Sequence, residues 1–442
     1  MLTSATRAVV AVLAAIALTL TGTIPVAASP ATATITGRIF VQHTWIESAD
    51  LEFWLYDSGT GKFALARTAQ TDSDGYYTVS GLAAGDYRIR IEARTTDLQP
   101  IWYSTMYPGD AVWQKDAATV HVEPGETKTI NKTVVGGRGL SFARIEGPNR
   151  YGTNVAITQT QFPEADGPYS IPVLYIASGT NYPDALSAGP AASLQGGALL
   201  LVQPTGIPAE TRAEIERLNP QKIIIAGSEA AISAAVEADL ADYAPVTRLG
   251  GANRYETSRL IVEDAFDSAP FVFVATGQNY PDALAAGPAA ARLASPVILV
   301  PGNAWTLDEE TTQLIESLGP ERAYILGSEV AVTGGIHNAL FEMGLGITRF
   351  AGVNRYDTAY QLNALLFGRT EQIFVTTGSN FADALSGGPL AASLDSPIYL
   401  SPPTCGTMAA YNAVIEYDII LATYLGSQAA IGDVFFEGNC GW

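Results

Sequence analysis

One stretch is written three times in this chain, and a fold has to accommodate that repetition before anything else. It runs Ala-Ser-Gly-Thr-Asn-Tyr-Pro-Asp-Ala-Leu-Ser-Ala-Gly-Pro-Ala-Ala from Ala177 to Ala192, and returns at Ala275–Ala290 and, more altered, at Thr376–Ala391. Each copy follows an apolar run (Val173–Ile176, Phe271–Val274, Ile373–Val375) and leads into alanine-rich sequence. Such a pattern reads as strand, tight loop and helix, which places ligand loops at the carboxyl ends of parallel strands. Arg-x5-Arg-Tyr stands upstream of every copy: Arg144 to Tyr151, Arg248 to Tyr255, Arg349 to Tyr356. Downstream come the apolar triplets Leu199–Leu201, Val297–Leu299 and Ile398–Leu400, and then Gly-Ser turns ending at Ser228, Ser328 and Ser427. The period is roughly 100 residues, against about 20–50 for solenoid repeats, so each unit has the length of a small domain.

Within the first unit the pattern predicts strands near Phe142–Ile145, Val173–Ala177, Ala198–Val202 and Lys222–Ala226. Helices are predicted from Thr153, from Asp184, over Pro208–Leu218 with Pro208 at the first helical position, and over Ser233–Tyr243 with Ser233 as cap. Strands alternating with helices call for a parallel sheet with right-handed crossovers. The triplets read as central strands of that sheet. Residues 34–136 differ: short runs alternate apolar and polar positions between turn residues, which predicts an all-β sandwich. The glycine-rich joint at 136–139 marks the boundary between the two regions.

The N-terminus has a single charge, Arg7, then the apolar run Ala8–Leu18 and the small residues Val26-Ala27-Ala28. It reads as a secretory signal over 1–28, since the run is short of the ~20 residues a membrane span needs. The expected protein is therefore exported, with no membrane span. With a formal net charge of −20 over 442 residues, nucleic acid is an unsuitable partner. In an oxidising compartment Cys405 and Cys440 are expected to form a disulfide.

Arg-x-x-Gly-x-Asn-Arg-Tyr, Asn-Tyr-Pro-Asp-Ala-Leu and the Gly-Ser turn, three times over, resemble the type-2 cell-wall-binding repeat family. The resemblance covers residues 141–442, as units 141–245, 246–346 and 347–442. It implies Toprim-like α/β modules packed as a pseudo-threefold unit that binds an anionic cell-wall polymer non-covalently. Thr71–Tyr87 resembles the signature of carboxypeptidase-regulatory or transthyretin-like domains. Asp72 and Asp74 in it read as hairpin-turn residues in preference to calcium ligands.

The candidate polymer-binding residues are Arg150, Arg254 and Arg355, with Asn181, Tyr182, Asp184, Asn279, Tyr280, Asp282, Asn380 and Asp383. A guanidinium at a domain seam binds phosphate or carboxylate through two parallel hydrogen bonds. The competing reading is a structural ion pair, for instance Arg150 with Glu146. Arg144, Arg248 and Arg349 read as structural. The asparagines could bond sugar hydroxyls, with Tyr182, Tyr280 and Phe381 stacking beside the sugar. Asp184, Asp282 and Asp383 stand where a helix should start, so a helix cap competes with a ligand role. Catalytic and metal templates go unmatched, and no cofactor is implied. The alternatives are an amidase-like wall hydrolase, or an adhesin whose sandwich binds a protein partner.

Overall fold

A computed structural model describes residues 31–42, 48–93, 101–102, 118–135, 141–163, 170–407, 409–410, 413–414 and 419–434. The expected signal segment, the glycine joint at 136–139 and Cys440 lie outside the described residues. Cys405 is disulfide-bonded.

The first region is built from β1 (Ala33–Gln42), β2 (Ala49–Asp57), β3 (Lys62–Gln70), β4 (Tyr76–Leu82), β5 (Gly85–Ala93), β6 (Ile101–Trp102), β7 (Val120–Val122), β8 (Thr127–Thr129) and β9 (Lys132–Val135). They form two sheets: β4-β1-β8 with β9 also on β1, and β3-β2-β5-β6 with β7 also on β5. Alternate residues point inward, as a period of two requires: Leu51 and Phe53, Tyr77 and Val79, Tyr87, Ile89 and Ile91 are buried in one shared core. The Asp72 carboxylate accepts from the backbone N–H groups of Asp74 and Tyr76. Gly75 beside it takes φ +83°, so Asp72 is a turn residue here.

The repeat region carries, in order, β10 (Ser141–Ile145), α1 (Arg150–Gln161), β11 (Leu174–Ser178), α2 (Pro183–Leu194), β12 (Ala198–Val202), α3 (Ala209–Leu218), β13 (Ile223–Ala226) and α4 (Ala234–Leu240). The second pass gives β14 (Val246–Leu249), α5 (Arg254–Ala265), β15 (Phe271–Thr276), α6 (Ala286–Arg292), β16 (Val297–Val300), α7 (Glu309–Leu318), β17 (Arg322–Leu326) and α8 (Gly334–Glu342). The third gives β18 (Gly346–Phe350), α9 (Arg355–Leu366), β19 (Gln372–Thr377), α10 (Ala382–Ser393), β20 (Ile398–Ser401) and β21 (Leu421–Leu425). Helix starts differ in detail from expectation. Pro208 is the cap residue of α3, not its first helical residue, and Ser233 occupies the cap of α4 without a side-chain bond.

The sheets do not respect the sequence repeat. Their orders are β12-β11-β13-β14, β16-β15-β17-β18 and β20-β19-β21-β10, with every pairing parallel. The strand that opens each sequence repeat is thus the last strand of the preceding unit's sheet. For the first repeat the preceding unit is the third: Ser141 to Ile145 pair with Leu421 to Leu425 and close the three units into a ring. The apolar triplets are also displaced from expectation. They lie in β12, β16 and β20 at the sheet margin, yet are fully buried. Helices from two units cover them, α1 and α10 on β12, and α5 and α2 on β16.

Helices α2, α6 and α10 pack on one another at the middle of the ring. Their contact face is small: Ala185, Ala188, Ala191, Ala286, Ala289, Ala384, Gly387 and Gly388 are buried. A Cβ on Gly287 of α6 would stand 3.9 Å from Gly388 Cα of α10, so small residues let these helices approach closely, and Gly387 lets α10 settle on its sheet, where a Cβ would come within 2.2 Å of Leu425 Cδ1. One apolar core runs through all three units.

Candidate functional site at the unit junctions

The helix that opens each unit is capped by the asparagine of Asn-Arg-Tyr. Asn149 Oδ1 accepts from the N–H groups of Tyr151 and Gly152 at 2.8 and 3.0 Å, and Asn253 and Asn354 do the same in their units. Such a cap is worth about 1 kcal/mol. The spacing of an asparagine before a helical run signals this role, which the sequence reading passed over in favour of the arginine beside it. The cap fixes the next residue as the first of the helix, and from there the arginine crosses the strand ends. Arg150, Arg254 and Arg355 each donate through Nη1 to a glycine carbonyl, of Gly179, Gly277 and Gly378 respectively. The following tyrosine packs over that glycine: a Cβ on Gly277 would meet Tyr255 Cε1 at 2.6 Å.

The ion pair expected between Arg150 and Glu146 does not form. Among the described residues none of these three guanidinium groups makes a salt bridge. The carbonyl of the glycine that follows β11, β15 or β19 supplies each arginine with an acceptor, so a carboxylate is not required for that N–H.

Tyr182, Tyr280 and Phe381 are not three separate sugar platforms. They converge on one another, with ring centroids 5.1, 5.9 and 5.7 Å apart. The Tyr182 hydroxyl donates to Gly277 O at 3.3 Å and accepts from Arg254 Nη1 at 3.1 Å. Tyr280 donates to Ser379 O at 3.2 Å. Arg150 sits 5.8 Å from the Phe381 ring and Arg254 5.7 Å from the Tyr182 ring, within cation–π range. Arg150 and Arg254 therefore each stand over the aromatic ring of the preceding unit.

The aspartates are not helix caps either. Tyr182 and Phe381 hold the cap positions of α2 and α10, and α6 begins only at Ala286, beyond Asp282. Instead each carboxyl turns towards the exit of the unit's third strand, where a glycine with positive φ makes room. A Cβ at Gly227, Gly327 or Gly426 would lie 2.7, 2.7 and 2.5 Å from Oδ2 of Asp184, Asp282 and Asp383. Burial pushes the Asp184 carboxyl up to about 6, opposed by Arg254. Burial does the same to Asp383, also to about 6, opposed by Arg150. Asp282 is raised by burial, opposed by a hydrogen bond from Thr358 and by Arg355. In all three the opposing guanidinium belongs to the next unit around the ring.

Asn181, Asn279 and Asn380 are exposed, and each Oδ1 accepts from the backbone N–H of the following residue. They stiffen the loop. In the second unit the loop borders a cavity of about 480 Å³. Gln278, Asn279 and Asp282 line one side and Ser328, Val330 and Ala331 the other. It lies between the ends of β15 and β17, where strand order reverses, the usual ligand crevice of an open α/β sheet.

The other arginine of each pair is structural, as read. Arg144 Nη1 donates to Gly426 O and Ile431 O, and Nη2 pairs with Asp433 at 2.7 Å. Arg248 donates to Gly227 O and pairs with Glu237 at 2.8 Å. Arg349 donates to Gly327 O and Val332 O, but its buried Nη2 has no hydrogen-bond partner among the described residues.

The three-fold array of capped helix and arginine coincides with three matches to a family described as cell wall binding domain 2, at residues 144–237, 248–337 and 349–435. Together they cover more than half of the chain. This chain belongs to the cell wall binding domain 2 family. Its cell wall binding units are 28% identical over 262 residues to N-acetylmuramoyl-L-alanine amidase LytC of Bacillus subtilis (strain 168), covering 59% of this chain and 50% of that protein. They are 27% identical over 308 residues to the amidase enhancer of the same organism, covering 67% of this chain and 41% of that protein. The chain thus spans about half the length of the curated relatives it matches. In fold it is similar to Cwp6 from Clostridium difficile, with a TM-score of 0.61 at 20% identity, over 90% of this chain and 66% of that one. For Cwp8 from Clostridium difficile the TM-score is 0.60 at 21% identity, over 78% and 57%. Among the described residues no helix is long and apolar enough to cross a membrane, and no group of three or more metal-ligating side chains occurs.

Proposed function

We propose that the three cell wall binding units act as one composite anchor for an anionic wall polymer, holding an exported protein at the cell surface. The observation that carries this reading is the ring of Arg150, Arg254 and Arg355 around one aromatic cluster. Each guanidinium spends Nη1 on a carbonyl and makes no ion pair among the described residues. In a chain of formal net charge −20, three such cations grouped at one place form a local anion site that bulk charge does not predict. The facing aspartates strengthen it under mild acid. A neutral carboxyl leaves the guanidinium charge uncompensated, so polymer binding should tighten as pH falls from 7.5 towards 5.5.

The chain is read as non-catalytic. Asp184, Asp282 and Asp383 each face the guanidinium of a different junction, an arrangement suited to charge balance and not to a paired acid and base. The Toprim-like description of the units belongs to the same proposal, supported by their parallel, helix-flanked sheets. So does the description of residues 34–136 as a carboxypeptidase-regulatory-like sandwich presenting a surface to a protein partner, supported by two sheets around one core. The domain limits 34–136, 141–245, 246–346 and 347–442 are proposed as sequence units, with β10, β14 and β18 exchanged between neighbours.

Titrating isolated anionic wall polymer into the full chain by calorimetry tests the anchor. One polymer segment per chain is expected, with affinity reduced about 100-fold in Arg150→Ala/Arg254→Ala/Arg355→Ala. Unchanged affinity in that variant would refute the composite site.

A further inference from the structure

The second unit carries a feature that the first lacks. Between β16 and α7 the chain takes eight residues, Pro301 to Asp308, where the first unit takes six, Gln203 to Pro208, and the longer loop holds Trp305. The Trp305 side chain is 88% exposed. Leaving an aromatic of that size in water forgoes about 2–3 kcal/mol of burial.

A mobile loop would account for such exposure, but this loop is fastened along its length. Thr333 N donates to Gly302 O at 2.9 Å and Ala304 N to Pro301 O at 2.8 Å. Thr333 Oγ1 donates to Ala304 O, and Gln278 Nε2 to Asn303 Oδ1 at 2.8 Å. Two glycines exist for its sake: a Cβ on Gly302 would stand 1.9 Å from Ala331 O, and one on Gly335 would stand 2.0 Å from Trp305 O. Leu307, two residues on, is buried in the main core. The backbone on both sides of Trp305 is thus fixed while its indole faces solvent. Preorganised, exposed aromatic surface of this kind is what a binding site contains, because its ordering cost is already met in the fold.

Beside the indole is an open cavity of about 530 Å³. Its floor includes Gly334 and Gly335, which let a ring approach the backbone, and its walls include Glu329, Asn338 and Glu342. All three polar side chains are exposed, and neither arginine nor lysine lines the space. An anionic ligand is therefore disfavoured here, and a cationic one finds two carboxylates and an aromatic face.

We propose that this cavity is a subsite for a saccharide unit bearing an ammonium group. The sugar's C–H face lies on the Trp305 indole, the ammonium pairs with Glu329 and Glu342, and the Asn338 amide bonds a hydroxyl. The site uses none of the arginines, aspartates or aromatic rings of the central ring, so it stands or falls independently of the anchor reading. Its charge preference is opposite to that of the central cluster.

The probe is a glucosamine tetrasaccharide titrated into the full chain at low salt, followed by tryptophan emission and calorimetry. Its fully N-acetylated counterpart, which has no ammonium, is run beside it. Saturable binding is expected, with about tenfold loss of affinity in Trp305→Ala, a similar loss in Glu329→Gln/Glu342→Gln, and about tenfold weaker binding of the acetylated sugar. These side chains lie on the surface, and circular dichroism checks that each variant keeps the fold. Absence of saturable binding overturns the proposal. So does binding that Trp305→Ala leaves intact, or equal affinity for the two sugars.

Discussion

The junction between the third and first units differs from the other two, and the difference shows what holds the ring together. At the first junction the Tyr182 hydroxyl reaches Gly277 O, and at the second Tyr280 reaches Ser379 O. At the third the residue is Phe381, which has no hydroxyl to give. The first two junctions are also crossed by the chain itself, into β14 and β18, whereas the strand that joins the third sheet, β10, comes from the other end of the repeat region. The weakest polar contact thus falls where no covalent link exists, and strand pairing plus the Arg144 clamp on Gly426, Ile431 and Asp433 close it. The closing strand covers the edge of β21 that would otherwise be left unpaired, as β14 and β18 cover β13 and β17 in the other two sheets.

The sharpest way to break the comparison is to remove the closing strand. A chain starting at Ser141 retains β10, and one starting at Gly147 does not. The shorter chain is expected to melt about 10 °C or more below the longer by circular dichroism. Equal melting would show that ring closure contributes nothing.

A smaller effect separates the clamps. Arg144→Ala removes an ion pair and two carbonyl contacts together, and should cost about 3 kcal/mol in denaturant unfolding. Arg349→Ala should cost less, about 1–2 kcal/mol, because its Nη2 is already unpaired. His337 stands four residues after the cap Thr333, as Glu237 stands four after Ser233. His337→Glu should supply the missing carboxylate, recover about 1 kcal/mol, and widen the effect of Arg349→Ala.

Next in size is the pH dependence of the junctions. The Asp184 and Asp383 carboxyls are raised to about 6 in the fold, above the unfolded value near 4. The fold therefore binds more protons than the unfolded chain between these limits. Stability from these groups is fully present below about pH 4 and is lost as pH rises through about 6. Asp383→Asn should stabilise by about 1–2 kcal/mol at pH 7.5, with the gain vanishing near pH 4. A gain constant with pH would mean that the carboxyl is not the cause.

The smallest expected change is Phe381→Tyr, which gives the third junction the hydroxyl of the other two. It should add about 0.5–1 kcal/mol if the Gly179 carbonyl accepts it, and Tyr182→Phe should cost a similar amount. Thermal melts of the two variants compare the junctions directly.

Much of this was legible along the chain. Three α/β units, the strand positions and the structural arginines follow from repeated periodicity, because strand and helix formation are local and each copy confirms the others. β3 was not legible: its residues Lys62–Gln70 are exposed on nearly every position, so it carries no alternation to detect. The cap reading weighed for the aspartates does not hold, because sequence shows their place before a helix but not the glycine opposite, which follows another strand over 40 residues away.

What the sequence determined by itself was the unit: which segments form strands, which helices are small-sided, and which residue types recur. Only the tertiary structure decided that the units share strands, that three aromatic rings become one cluster, and that each arginine serves the neighbour's aspartate. The reason is physical. Periodicity encodes which face of an element is buried, whereas the partner that buries it is set by ring closure, a constraint satisfied by all three copies at once.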